Sequence, residues 1–70
     1  MERIPVQSSN LATIGYDSET ETLEITFLKS GIYEYRNVPQ IIYDELMNSP
    51  SHGSYFSREI KNTYPCERIG

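Results

Sequence analysis

Residues 14–35 of this chain read IGYDSETETLEITFLKSGIYEY, and this stretch decides the fold that the sequence predicts. Apolar residues alternate with polar or small ones over 14–17 and again over 23–27, which is the pattern of two half-buried β-strands. The residues at 18–21, Ser-Glu-Thr-Glu, separate the two runs and suit a connecting turn. The stretch therefore predicts an antiparallel hairpin.

The register of this hairpin follows from the length of its loop. A four-residue loop places Tyr16 opposite Leu23 and, by the same count, Ile14 opposite Ile25. In that register the apolar side chains of both strands lie on one face of the sheet, whereas a shift by one residue would turn one set to the other face. Loop length and hydrophobic pattern therefore agree.

A second hairpin loop is predicted at Lys29-Ser30-Gly31, where the glycine can adopt the positive φ that other residues avoid. This three-residue loop sets Phe27 against Tyr33. By the same count, Ile25 lies against Tyr35. A two-residue loop would turn both tyrosines to the opposite face. We therefore predict that the two tyrosines share the core face with the apolar residues of the preceding strand.

The segments around the hairpins add further elements. Ile4 and Val6 indicate a short additional strand before the first hairpin. Pro39 suits the first position of a helix, where its missing N–H would have no partner anyway. Pro50 ends this helix. Helical spacing is carried by four apolar residues, Ile42, Tyr43, Leu46 and Met47.

A second helix is predicted after Ser51, whose hydroxyl can cap its N-terminus. Phe56 and Ile60 lie four residues apart on one side of it, and Pro65 prevents its continuation. The predicted fold is α+β: an antiparallel three- to four-stranded β-meander followed by two short α-helices packed on one face. At 70 residues the chain fits a single domain spanning 1–70.

Composition disfavours several classes of protein. Ten acidic and six basic residues give a formal charge of −4, which opposes generic binding to nucleic acid. Cys66 has no partner for an intramolecular disulfide, and no apolar run is long enough to span a membrane. We therefore expect a cytoplasmic protein that does not enter a membrane.

Catalytic chemistry has little support in the sequence. The chain has one histidine, one cysteine and scattered acids, and their spacing indicates no nucleophile beside a base. His52, expected to be exposed, and Cys66 cannot supply the four ligands of a structural zinc site. No calcium loop or phosphate-binding glycine motif is present. The expectation is a protein with no catalytic residue, no metal and no cofactor.

Binding chemistry has more candidates. Arg36 at the end of the third predicted strand, together with Arg58 and Lys61 on the second helix, can contact phosphate groups. Tyr55 or Tyr64 can supply a ring on which a base stacks. The same residues also suit a protein-binding patch, or simply a solvated helix face.

A separate candidate is the turn that contains Ser51 and Gly53. A serine hydroxyl and free backbone N–H groups at a helix N-terminus can bind an anion, and a glycine lets that anion approach the backbone closely. The alternative is a plain helix cap, which needs only Ser51. The predicted binding residues are thus Arg36, Ser51, Gly53, Tyr55, Arg58 and Lys61.

Many of these positions together resemble a known family. They are Val6, Ser8-Ser9, residues 14–17 and 23–27, Gly31, Tyr33-Glu34-Tyr35, Val38-Pro39, residues 51–56, Ile60 and Tyr64. In this order they resemble the KTSC family, which is named for its occurrence at the C-terminus of some lysyl-tRNA synthetases and also occurs as small bacterial proteins. The resemblance implies a non-catalytic binding module with RNA, and tRNA in particular, as its partner. The alternative is a protein-interaction or adaptor domain.

Overall fold

The structure, a computed structural model of residues 1–70, contains a five-stranded antiparallel sheet. The strands are β1 Arg3–Pro5, β2 Leu11–Asp17, β3 Thr22–Phe27, β4 Gly31–Tyr35 and β5 Cys66–Arg68. Their order in the sheet follows their order in the chain, so each strand pairs with its neighbours in sequence. The predicted α+β meander is confirmed, with one strand more than the four expected at most.

The helices lie between β4 and β5 in the chain. Helix α1 spans Gln40–Asn48, and α2 spans His52–Tyr55 and runs directly into a π-helical segment, Phe56–Ile60. Pro39 precedes α1 instead of forming its first residue, a difference of one position. Ser51 caps α2 as predicted, because its Oγ accepts a hydrogen bond of 3.3 Å from the Ser54 N–H. Neither helix is long and apolar enough to cross a bilayer.

The first hairpin has the predicted register. Tyr16 lies opposite Leu23, and Ile14 lies opposite Ile25. β1 contains Ile4 of the additional strand that the sequence predicted but ends at Pro5, before Val6, and it pairs Ile4 with Ile14. Apolar residues at these matched positions therefore continue across three strands on one face of the sheet.

The predicted register of the second hairpin is wrong by two residues. Tyr33 lies opposite Ile25, and Gly31 lies opposite Phe27. The loop consists of residues 28–30, so Gly31, which has a φ of +95°, begins β4 instead of closing the loop. Because the shift is by two residues, both tyrosines of β4 still lie on the core face.

The sequence does not predict β5, whose residues Cys-Glu-Arg lack apolar alternation. Backbone hydrogen bonds attach this end of the chain to β4. The Arg36 N–H donates to the Pro65 carbonyl at 2.9 Å, and the Ile69 N–H donates to the Ile32 carbonyl at 2.8 Å. A Cβ at Gly31 would clash with the carbonyl oxygen of Gly70. Glycine is therefore needed at this position both for its φ and for the approach of the C-terminal residues.

The core lies between one face of the sheet and the helices. Its ten buried residues are Leu11, Ile14, Leu23, Ile25, Tyr35, Val38, Leu46, Tyr55, Phe56 and Ile60. At its edge, the half-buried ring of Tyr16 stacks on Tyr43 of α1, with centroids 4.6 Å apart, and the Tyr16 hydroxyl donates to the Val38 carbonyl. These contacts join the first hairpin to α1.

The opposite face of the sheet is polar. Glu24, Glu34 and Glu67 are neighbours across β3, β4 and β5. Arg3 pairs with Glu24 at 2.8 Å, and Arg36 lies 3.4 Å from a carboxylate oxygen of both Glu34 and Glu67. Because both arginines are well exposed, these pairs contribute little to stability. Their effect is to neutralise part of an acidic surface.

Candidate functional site

A groove of about 690 Å³ opens between the β3–β4 hairpin and the π-helical segment. Its lining includes four aromatic residues, Phe27, Tyr33, Tyr35 and Phe56, and two basic residues, Lys29 and Lys61. The aromatic residues are buried or half-buried, whereas both lysines are exposed. The groove therefore has an aromatic floor and a basic rim.

The aromatic floor is held by edge-to-face contacts. Phe27 contacts Tyr33 with ring centroids 5.5 Å apart and an interplanar angle of 82°. Phe56 contacts Phe27 at 5.5 Å and Tyr35 at 5.3 Å, again at steep angles. Such pairs contribute an interaction energy in addition to that of burying their apolar surface, because the positive edge of one ring meets the negative face of the next. The floor is thus a packed part of the core that remains open on one side.

The charge at the groove differs from that of the whole chain. Three of the six basic residues, Arg3, Arg36 and Arg58, form ion pairs with carboxylates. Of the other three, Arg68 donates to the Gly70 carbonyl at 3.0 Å. Lys29 and Lys61 form no ion pair, and both lie at the groove, whose lining contains no aspartate or glutamate. A chain with a formal charge of −4 therefore presents a locally positive cavity.

Tyr35 brings an unpaired polar group to the groove. The residue is 4% exposed, and its hydroxyl makes no hydrogen bond within the chain. Burial, with the neighbouring Cys66, raises the pKa of Tyr35 to about 12. Tyr55 is a contrast, since its hydroxyl donates to Glu45 Oε1 at 2.7 Å. Burial and that hydrogen bond raise the pKa of Tyr55 to about 12.

These two tyrosines predict how stability changes at high pH. Both have a folded-state pKa of about 12 against 10.0 for an ordinary tyrosine, so their contribution is complete below pH 10. Between pH 10 and 12 the unfolded state loses its phenolic protons first, and stability falls. We expect the melting temperature of Tyr35→Phe/Tyr55→Phe to decline less steeply over this range than that of the unaltered chain. Parallel declines of the two melting temperatures would contradict the raised pKa values of Tyr35 and Tyr55.

A second cavity, of about 680 Å³, adjoins the groove and is lined mainly by polar residues. It is lined by three of the predicted binding residues, Ser51, Gly53 and Arg58. The two cavities share Ser9, Asn10 and Ser57, so they form one continuous surface.

Gly53 has a packing reason to be glycine. A Cβ there would lie 2.7 Å from Asn10 Oδ1 and 3.1 Å from Ser8 Oγ. The segment before β2 therefore packs directly against the first turn of α2. This close approach accounts for Gly53 without any ligand.

The other predicted binding residues are dispersed. Lys61 lies at the groove. The guanidinium of Arg58 lies 5.7 Å from the centre of the Tyr55 ring and pairs with Glu59 at 3.1 Å. Tyr55 is 8% exposed, so its ring contacts Arg58 but is not accessible for a base to stack on it. Arg36 is apart from this surface, on the polar face of the sheet.

His52, the one histidine, has a structural contact between the two helices. His52 is half-buried, not exposed as expected, and its Nδ1 lies 2.9 Å from the Leu46 carbonyl oxygen, to which it can donate. This contact joins the start of α2 to the end of α1. No group of three or more His, Cys, Asp or Glu side chains is placed to hold a metal ion.

Comparison with known proteins shows the family. Residues 7–64 match the model of the KTSC domain. The chain belongs to the KTSC domain family. A crystal structure of a KTSC domain protein from Yersinia pestis superposes with a TM-score of 0.97 at 39% identity, covering 99% of this chain and 97% of that one. An uncharacterised protein of Stutzerimonas stutzeri is 36% identical over 87% of this chain and 86% of its own length.

The same KTSC domain occurs within larger proteins. The lysine–tRNA ligase of Trichormus variabilis is 41% identical over 77% of this chain, and that of Nostoc punctiforme is 33% identical over 90%. The matched segments are 10% and 11% of the two ligases. The KTSC domain is therefore a small module that is found both alone and as a segment of lysine–tRNA ligases.

Sequence reasoning missed most of the groove of this KTSC domain. Lys61 was the one predicted binding residue there, while Lys29 and Phe27 were assigned only to a loop and a strand. A usable signal was present, because Lys29 follows Phe27 closely and the predicted face of the sheet already held Tyr33. The position of Phe56 against that end of the sheet could not be deduced from spacing.

Proposed function

We propose that this KTSC domain is a non-catalytic module that binds single-stranded RNA, with tRNA as the class of partner. The observation that carries the proposal is the groove, where the two lysines without ion pairs flank an aromatic floor. Proteins that bind single strands combine positive charge along the backbone with aromatic rings on which bases stack. The occurrence of the domain in lysine–tRNA ligases supports the tRNA context.

The proposed surface extends from the groove into the polar cavity. Ser57 lines both cavities, whereas Lys61 lines only the groove and Arg58 only the polar cavity. A strand whose base enters the groove would carry its neighbouring phosphates across Ser57 towards Arg58. Ser51 contributes a hydroxyl at the far end. Arg36, which is neutralised by two carboxylates on the polar face of the sheet, is not included in this surface.

An amide chemical-shift titration of the labelled protein with a short single-stranded RNA tests this proposal. Shifts should cluster at Lys29, Ser57, Arg58 and Lys61 and should weaken from low to near-physiological salt. An unrelated acidic peptide serves as a control for charge alone. No shifts with RNA at low salt would overturn the proposal. Shifts with the peptide alone would instead favour a protein partner at this surface, where Leu28 is an exposed apolar residue.

A matched pair of variants sharpens this test. Arg58→Gln removes one positive charge from the proposed surface, and Arg3→Gln removes one from the polar face of the sheet. We expect Arg58→Gln to lower the slope of log affinity against log salt by about 0.7, as for one lost phosphate contact on a single strand. Its stability should change by no more than about 1 kcal/mol, because the Arg58 side chain and its ion pair with Glu59 are exposed to solvent. Equal slopes for the two variants would contradict the placement of Arg58.

A further inference from the structure

The groove is suited to a flat ring that carries hydrogen-bonding groups. Its volume of about 690 Å³ falls within the roughly 300–1,000 Å³ of small-molecule sites. Phe27 and Tyr33 are nearly perpendicular and only half-buried. A planar ligand stacked on one of these rings would meet the edge of the other, and both arrangements are favourable.

Polar groups at the groove have no partners within the chain. The Tyr35 hydroxyl makes no hydrogen bond with another residue, although the residue as a whole is only 4% exposed. Because its oxygen is not fully enclosed, its hydrogen-bonding capacity is available to a ligand that enters the groove. The side-chain amide of Asn62, also at the groove, is unpaired and can both donate and accept. Together they offer the kinds of contact that the edge of a nucleobase requires.

The Tyr35 hydroxyl can be reached from the groove. Thr13 Oγ1 is the one fully enclosed side-chain oxygen or nitrogen without a hydrogen-bond partner, so the unpaired Tyr35 oxygen keeps some accessible surface. Because Tyr35 lines the groove, a ligand seated there can approach this oxygen. The hydroxyl can both donate and accept a hydrogen bond, which suits either kind of group on the edge of a base.

The positive charge at the rim of the groove favours a ligand that carries an anionic group. Lys29 and Lys61 lie at the exposed rim, and no carboxylate lines the groove. A flat ring with polar edge groups, attached to an anion, can make all three contacts. It can stack on the aromatic floor, hydrogen-bond to the Tyr35 hydroxyl and place its anion at the two lysines. A nucleotide has this chemistry. Its base must be unpaired, because a base inside a duplex is stacked between its neighbours and cannot enter a groove.

We propose that the groove is a subsite for one unpaired nucleotide, with its base against Phe27 and Tyr33, its edge read by the Tyr35 hydroxyl, and its phosphates at Lys29 and Lys61. This assignment rests on the proposed RNA-binding function and names the element of RNA that the domain recognises. Free nucleotides share the same chemistry, so the test separates the two sources.

The test compares three kinds of ligand by calorimetry with the complete chain. These are fully abasic heptamers, heptamers that carry A, C or U at one position of an otherwise abasic chain, and the corresponding free nucleoside monophosphates. We expect the first base to strengthen binding about tenfold over the fully abasic heptamer, as for the gain of one stacked base. Further bases should add only the statistical gain of several equivalent registers. A further tenfold gain with each added base would overturn the single-nucleotide subsite.

Two variants that each remove one hydroxyl give a matched control. Tyr35→Phe keeps the ring and removes the unpaired hydroxyl, so its melting temperature should be unchanged. The ratio of the affinities for the best-bound and the worst-bound heptamer should fall by roughly threefold to tenfold. Tyr55→Phe removes a hydroxyl that bonds Glu45. It should lower the melting temperature and leave that ratio unchanged. The same ratio in Tyr35→Phe as in the unaltered chain would overturn the role of this hydroxyl.

The outcomes also separate this assignment from the proposed function. RNA binding that depends on Arg58 but not on any base would retain the function and overturn the subsite. Binding of free monophosphates, sensitive to Tyr35→Phe, without binding of any heptamer would support the subsite and overturn RNA as its source. Absence of all binding would overturn both.

Discussion

Replacing Phe56 with alanine is expected to lower the free energy of unfolding by about 3–5 kcal/mol. The side chain is 2% exposed, and its ring packs against Phe27 at 5.5 Å and Tyr35 at 5.3 Å. Its removal would leave a cavity where the π-helical segment meets the sheet. A chain of 70 residues has a total stability of roughly 4–10 kcal/mol, so this loss removes at least about a third of it.

Urea denaturation followed by circular dichroism measures this loss. Leu28→Ala is the control, because Leu28 lines the same groove but is 56% exposed. Its stability should change by less than about 0.5 kcal/mol, as at most surface positions. A loss below about 1 kcal/mol for Phe56→Ala would show that the ring does not hold the helical segment on the sheet.

Neutralising both groove lysines should have the largest effect on binding. For Lys29→Gln/Lys61→Gln we expect single-stranded RNA to bind at least tenfold more weakly at low salt, with the salt slope reduced by about 1.4, or about 0.7 for each lost phosphate contact. Neither lysine forms an ion pair, so stability should be unaffected. Fluorescence anisotropy of a labelled RNA, repeated over a series of salt concentrations, measures both quantities.

The control for charge is again Arg3→Gln, which should be compared with each single lysine variant. All three lose one positive charge, but Arg3 lies on the polar face of the sheet, paired with Glu24. If all three reduced the salt slope equally, binding would depend on net charge and not on the groove. An unchanged slope in the double lysine variant would exclude phosphate contacts at these positions.

The first hairpin could be predicted because two independent signals agreed. The four-residue loop and the alternation around Ile14, Tyr16, Leu23 and Ile25 specify the same register, and a slip by one residue would expose the apolar face. At the second hairpin the pattern determined which face the tyrosines occupy but not their partners. A slip by two residues keeps the face, so only the position of Gly31 relative to the loop could decide between registers.

β5 and the groove could not be predicted, because both depend on contacts between residues that are distant in the sequence. The strand Cys66–Arg68 has no hydrophobic pattern of its own, and its pairing depends on an edge of β4 that the fold leaves free. The groove combines residues from the start of the chain, the second hairpin, the π-helical segment and β5. The spacing of these residues in the sequence does not indicate that they line one groove. They come together because Phe56 packs on the sheet.

The order of strands in the meander has a consequence for how the domain folds. The two hairpin loops contain four and three residues, whereas 30 residues separate β4 from β5. Closure entropy grows with the logarithm of loop length, so pairing β5 costs about 2 kcal/mol more than closing either hairpin. We expect β2, β3 and β4 to assemble early and β5 to join last. Because Cys66 of β5 lines the groove, the groove would be completed only in the final step of folding.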